Sequence, residues 1–181
     1  GNVYDNIFAQ TNVEGNIWNG DSIQISIDGK GNKSGGYDTD DYEYGIARSD
    51  LTTQFYAWQV AAGQKSGKLS DEWVKIIVDN DKKLARYFIK IPKNMLTPLS
   101  LTDKYKFGFN IAVNDADFDS RERFVQFTKG TADKKDTKEY RVWELVPGQN
   151  MIPMTDEIVR ALPIDMIMSD QIPLDHNTLN E

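Results

Sequence analysis

The segment Ser22-Ile23-Gln24-Ile25-Ser26-Ile27-Asp28 alternates polar and aliphatic side chains without a break. Successive side chains of a β-strand point to opposite faces. Ile23, Ile25 and Ile27 therefore share one face, and Ser22, Gln24 and Ser26 share the other. A strand with a wholly polar face does not suit the middle of a doubly covered sheet. It suits an antiparallel sheet with one face on a core and one in water. The turn before it, Trp18-Asn19-Gly20-Asp21, carries an aromatic ring and a carboxylate. Trp18 shares the parity of the polar residues and is expected on or beside the wet face. An aromatic ring next to hydrogen-bonding side chains suits a polar ligand with an apolar side, such as a sugar ring.

The same grammar repeats downstream. Strands are expected over 42–48 and 53–60, then over 74–78 and 84–91 with the polar hairpin loop Asp79-Asn80-Asp81-Lys82-Lys83 between them. Lys93-Asn94-Met95-Leu96 is expected to make one helical turn. The most regular strand is 106–113. Phe107, Phe109, Ile111 and Val113 are read as its core side, and Gly108, Asn110, Ala112 and Asn114 as its open side. Strands over 123–128 and 139–145 follow. Short strands with turn signals and no long helix predict an all-β fold, an antiparallel β-sandwich. From Pro147 onward prolines recur at 153, 163 and 173. This Pro-rich tail, 147–181, is read as an extension or linker, with a short helix over 155–162 capped by Thr155 or Asp156. The Gly/Lys/Asn/Ser stretch 29–36 lacks the spacing of a phosphate-binding loop and is expected to be a mobile surface loop.

Composition removes several chemistries. The net charge of −7 opposes binding to nucleic acid, which needs a surplus of Lys and Arg. No apolar run reaches the length of a membrane span. The absence of cysteine excludes disulfides and thiolate sites. The lone histidine, His176, sits in the tail and is a poor basis for a Ser-His-Asp triad or a zinc site. Haem would need axial His or Met, and the methionines lie only at 95 and in the tail. The 28 acidic residues guarantee chance carboxylate pairs, so their number is no sign of a glycosidase.

Four ordered stretches carry a family resemblance. They are Trp18-Asn19-Gly20-Asp21-Ser22-Ile23-Gln24-Ile25-Ser26-Ile27-Asp28, Tyr42-Glu43-Tyr44-Gly45, Ile89-Lys90-Ile91-Pro92 and Phe107-Gly108-Phe109-Asn110-Ile111-Ala112-Val113-Asn114-Asp115. Together they resemble the family 9 carbohydrate-binding modules, part of the DOMON-like (jelly-roll-like) β-sandwiches, over about residues 3–146. The resemblance implies a module over 1–146, without some first strands of the family. It implies a non-catalytic, extracytoplasmic domain that binds sugars, often at a chain end. Such a domain is usually attached to a glycoside hydrolase and stabilised by structural calcium. In sugar-binding members two aromatics sandwich one ring. By position Trp18 matches the first aromatic, Gln24 a hydroxyl-binding residue, Arg48 a basic ligand contact and Asn110 a polar position on the following strand. Gln126 could extend that patch.

The chain departs from the pattern in the loop 128–137, where the second aromatic is expected and none occurs. Phe127 or Tyr140 would have to stand in. The alternative is a structural or interaction sandwich that kept the fold without the clamp. A hydrolase fragment is a further reading. For each candidate the bland role stands beside the binding one: Trp18 as a core or rim residue, Gln24 as an ordinary strand residue, Arg48 in a surface ion pair. Trp143 is expected in the core. Asp115, Asp117 and Asp119 space oxygens at alternate residues, as a loop around a hard cation does, and Asp21 could join them. Asp38-Thr39-Asp40-Asp41 is a second acidic turn. Local turn hydrogen bonds are the other role for these groups.

Overall fold

Isoleucine faces need a partner layer, and here they find one. The computed structural model of the protein describes residues 1–49, 52–145 and the strand backbone at 165–167. Eleven strands are described: β1 (Asn2–Tyr4), β2 (Ser22–Asp28), β3 (Asp41–Ser49), β4 (Thr52–Gln59), β5 (Gly67–Lys68), β6 (Val74–Asp79), β7 (Leu84–Ile89), β8 (Lys106–Asp115), β9 (Arg123–Gln126), β10 (Arg141–Glu144) and β11 (Asp165–Ile167). The larger sheet runs β10-β8-β2-β3-β4-β5, and the smaller one runs β11-β1-β7-β6. β2 occupies one edge of β8, so β10 and β9 divide the other, at residues 106–109 and 112–115. Each described pairing is antiparallel except β1 with β11, which is parallel. The expected antiparallel sandwich is present. β1, β5 and β11 were not expected: the first two are too short to show a period, and the third lies in the tail. The expected helix over 155–162 falls outside the described residues.

Register assembles the core. Ile23, Ile25 and Ile27 lie opposite Ile46, Tyr44 and Tyr42 of β3. Val3, Val74, Ile76, Ala85 and Tyr87 pack onto them from the smaller sheet. Each buried isoleucine contributes about 2–3 kcal/mol. The two tyrosines bring hydroxyls into this layer, and each finds a carbonyl. Tyr44 donates to Met95 O at 2.9 Å and Tyr42 to Thr97 O. Those acceptors belong to the expected turn, which is a 3-10 helix at Lys93–Leu96, and to its C-cap.

The polar face of β2 corrects the expectation of a wet sheet. Ser22, Gln24 and Ser26 are 0%, 3% and 0% exposed. Two long-range coverings explain this. The 3-10 turn Glu14–Asn19 drives Ile17 onto Gly45 and Trp58, and Trp58 Nε1 donates to Gly15 O at 2.8 Å. The connection between β9 and β10 lays Thr131 and Tyr140, both buried, over Ser26 and Asn110. A Cβ on Gly45 would strike the Trp58 ring. Gly45→Val is therefore expected to destabilise by about 2 kcal/mol. Chemical denaturation measures it, and an unchanged midpoint would refute the constraint.

Two further expectations change. The stretch 29–36 is tied down: Asp28 accepts from Asn32 N and Lys33 N, and Gly35 N donates to Thr137 Oγ1 at 3.1 Å. Phe107, Phe109 and Ile111 do face the core side of β8 but are only half-buried. A four-stranded sheet cannot cover a seven-stranded one. Trp143 lies on that overhang at 45% exposure, not in the core, with its ring edge-on to Phe109 at 5.9 Å.

Candidate functional site

One row of hydrogen bonds crosses the covered polar face. β2 and β8 pair Ser22 with Asn114. Asn114 Nδ2 donates to Ser22 Oγ at 2.9 Å and to Gln24 Oε1 at 3.3 Å. Gln24 Nε2 donates to Glu43 Oε1 at 2.8 Å. Glu43 also accepts from Tyr37 OH at 2.8 Å and from Lys135 Nζ. At the other end Arg121 Nη1 donates to Asn114 Oδ1 at 3.0 Å. The row thus runs from a cation through two amides to a paired carboxylate.

Above the Arg121 end stand two aromatic rings. Trp18 sits in the 3-10 turn whose Ile17 is anchored in the sheet, and is 38% exposed. Phe124 lies opposite Asn114 in the β8–β9 register, so it projects from the same face as the row. The Arg121 guanidinium carbon is 5.0 Å from the Trp18 ring centroid and 4.9 Å from that of Phe124. One guanidinium therefore contacts both rings. Their centroids are at most about 10 Å apart. Stacked contacts of about 4.5 Å on each face of an inserted ring would need about 9 Å. Among the described residues Arg121 makes no ion pair, and burial lowers its pKa.

The candidates read from the sequence divide. Trp18 stands at this site, and Gln24 lies buried behind it, linked through Asn114 and Arg121. Asn110 does not: it is 0% exposed, and its Nδ2 donates to Thr128 O (2.7 Å), Lys129 O (3.2 Å) and Thr131 Oγ1 (2.8 Å). Its Oδ1 accepts from Thr128 N at 2.9 Å. Gln126 Oε1 likewise accepts from Thr131 N and Ala132 N. Both side chains hold the covering loop. The β2–β3 register sets Arg48 on the face of Ile46, away from Gln24. Of the suggested second aromatics, Tyr140 is buried and Phe127 packs on Trp143 at 6.1 Å. Phe124, Arg121 and Asn114 were missed as site residues. Phe124's parity against Asn114 would have revealed it, but only with the β8–β9 register in hand.

A family profile described as carbohydrate family 9 binding domain-like matches residues 2–147. The chain belongs to this family. Two solved structures of a family 9 carbohydrate-binding module from Caldicellulosiruptor kristjanssonii share the fold. The one in complex with glucose has TM-score 0.57 and 16% identity, over 83% of this chain and 70% of that one. The one in complex with cellotriose has TM-score 0.57 and 16% identity, over 84% and 71%. No curated protein matches the chain.

Among the described residues of this family 9 domain, two carboxylate groups have the composition of hard-cation sites. Ligand atoms of Asp5, Asp21 and Asp115 lie within 4.8 Å of one another, as do those of Asp28, Asp40 and Asp41. Asp21 accepts from Ala9 N and from Ala116 N (2.9 Å), which fixes its two oxygens. Burial, and then the Asp5 charge, push its pKa up to about 8. Burial raises Asp5 to about 6 and Asp41 to about 7. Asp41 Oδ1 is buried without a hydrogen-bond partner. Clustered oxygens with raised pKa values are what a divalent cation relieves. Of the sequence candidates Asp21 and Asp115 meet, joined by Asp5, which was missed. Asp117 is instead 3.4 Å from Arg123, which also pairs with Asp115. Asp119 is exposed and outside the group.

Proposed function

We propose that this family 9 domain binds carbohydrate without breaking bonds, and that a sugar ring is held between Trp18 and Phe124. The observation that carries this reading is a pair of rings, Trp18 and Phe124, both in contact with the Arg121 guanidinium at the end of a row of amide groups. The rings supply stacking on the C–H faces of the sugar. Arg121 supplies hydrogen bonds to its hydroxyls, while the buried Asn114 and Gln24 amides, already bonded within the protein, hold Arg121 in place. The two solved relatives, bound to glucose and cellotriose, support the same class of ligand. Arg121 has to leave the two rings for a sugar to enter. Its side chain is held there by one hydrogen bond and two cation–π contacts, which are weak at half-exposed sites.

Calorimetry against glucose and cellotriose tests the reading. Trp18→Ala and Phe124→Ala are each expected to weaken binding about tenfold or more. A parent protein that binds no mono- or oligosaccharide, or variants that bind as well as the parent, would overturn it. A sandwich that kept the fold without the clamp is the second reading. Its support is that Arg121 fills the slot. The same titration decides between the two.

The domain further fits a place outside the cytoplasm, beside a polysaccharide-degrading enzyme. Among the described residues no helix is long and apolar enough to cross a membrane. The proposed cofactor is structural calcium. Asp5, Asp21 and Asp115 would hold one ion, and Asp28, Asp40 and Asp41 another. Each ion would neutralise buried carboxylates and tie separate chain segments together.

A further inference from the structure

Arg121 stands out among the cations around this site. Lys135 is paired with Glu43, and Arg123 with Asp115 and Asp117. Arg121 has an amide oxygen and two ring faces, and among the described residues no carboxylate within ion-pair distance. Aromatic faces and one amide compensate a half-buried guanidinium only in part. A ligand that enters the slot removes both ring contacts, so the charge must be met in some other way. Neutral hydroxyls do this weakly. A carboxylate does it best, because its two oxygens match the guanidinium fork.

We infer that this site prefers a sugar carrying a carboxylate, a uronic acid, over its neutral counterpart, with Arg121 as the residue that reads the acid. The inference rests on the sugar-binding reading above and names the ligand class for the same slot. The Asn114 bond tethers the guanidinium at the slot, so it moves from the ring faces to the edge of the bound ring. The chain's charge of −7 repels an anion at long range. That repulsion is screened beyond about 8 Å at physiological salt, whereas the contact with Arg121 is not.

Calorimetry on the full chain tests the inference with matched pairs, glucuronate against glucose and galacturonate against galactose. At least one uronate is expected to bind about tenfold tighter than its neutral partner at physiological salt, where the long-range repulsion is screened. Arg121→Gln is expected to bring the ratio within each pair to near one, and Arg121→Lys to restore part of it. Thermal melting of each variant checks that the fold is intact. Neutral sugars that bind as tightly as the uronates would overturn the preference and leave sugar binding standing. A preference that survives Arg121→Gln would overturn the role of Arg121. Binding of neither class would remove both readings.

Discussion

Metal-stripped protein is expected to melt at a higher temperature at pH 5 than at pH 8, and calcium is expected to abolish the difference. Asp5, Asp41 and Asp21 have pKa values raised to about 6, 7 and 8 by burial and by neighbouring carboxylates. In the unfolded chain each titrates near its ordinary value. Between pH 5 and 8 the unfolded state has already released these protons while the folded state still holds them or must give them up. The unfolded state therefore binds fewer protons, and stability falls as pH rises through this window. The amino terminus, with its pKa lowered by partial desolvation, acts oppositely near pH 8, but it is one group against three.

A divalent cation replaces the protons. At a concentration well above its dissociation constant it is expected to raise the melting point at pH 8 by about 5–10 °C. Differential scanning calorimetry in EDTA and in calcium, at both pH values, measures this. An identical melting point with and without calcium would remove both cation sites. A rise in EDTA-treated stability from pH 5 to pH 8 would show that the carboxylates are not buried together. Asp21→Asn should behave as a partial mimic. It keeps an acceptor for a backbone N–H and is expected to flatten the pH dependence while weakening the response to calcium.

Asn110→Ala should be the most damaging single change on the β8 strand, at about 3 kcal/mol. The side chain makes bonds to two carbonyls, one hydroxyl and one backbone N–H of the 128–131 segment. Its removal takes a partner from the buried Thr131 hydroxyl and from the backbone of Thr128 and Lys129 that it holds against the sheet. The covering loop is then expected to open, letting trypsin cut the chain at the already exposed Lys129, Lys134 and Lys135 before the sheets unfold. Denaturant titration gives the energy, and limited proteolysis gives the order of events. A loss below about 1 kcal/mol would mean that the loop is held chiefly by Tyr140 and Gln126 instead. The same result would reinstate Asn110 as a candidate for ligand contact.

These expectations differ from those the strand pattern suggests by itself. Parity along 22–28 and 106–113 correctly separates two faces, and the isoleucine, Tyr42/Tyr44 and Val113 side is the core. Parity also assigns Gly108, Asn110, Ala112 and Asn114 to one face. It cannot say what lies over that face. Asn110 reads as a ligand residue on an open patch and is instead a fully bonded anchor for a loop that begins eighteen residues later. Trp18 and Gln24 are legible because they flank one strand. Phe124 is not, since its place near Trp18 depends on how β9 registers against β8. Asp5 meets Asp21 and Asp115 through three separate segments, so no local spacing marks the cluster.

The sequence by itself determined the β-sandwich, the core residues of its central strands and the four stretches that place it in family 9. These rest on local alternation, which physical chemistry converts directly into faces. The tertiary structure alone decided that the polar face is roofed over, that Arg121 meets both Trp18 and Phe124, and which carboxylates converge. Each of those facts depends on contacts between segments distant in the chain. Their geometry is set by sheet register and loop packing, and no periodicity in the sequence encodes it.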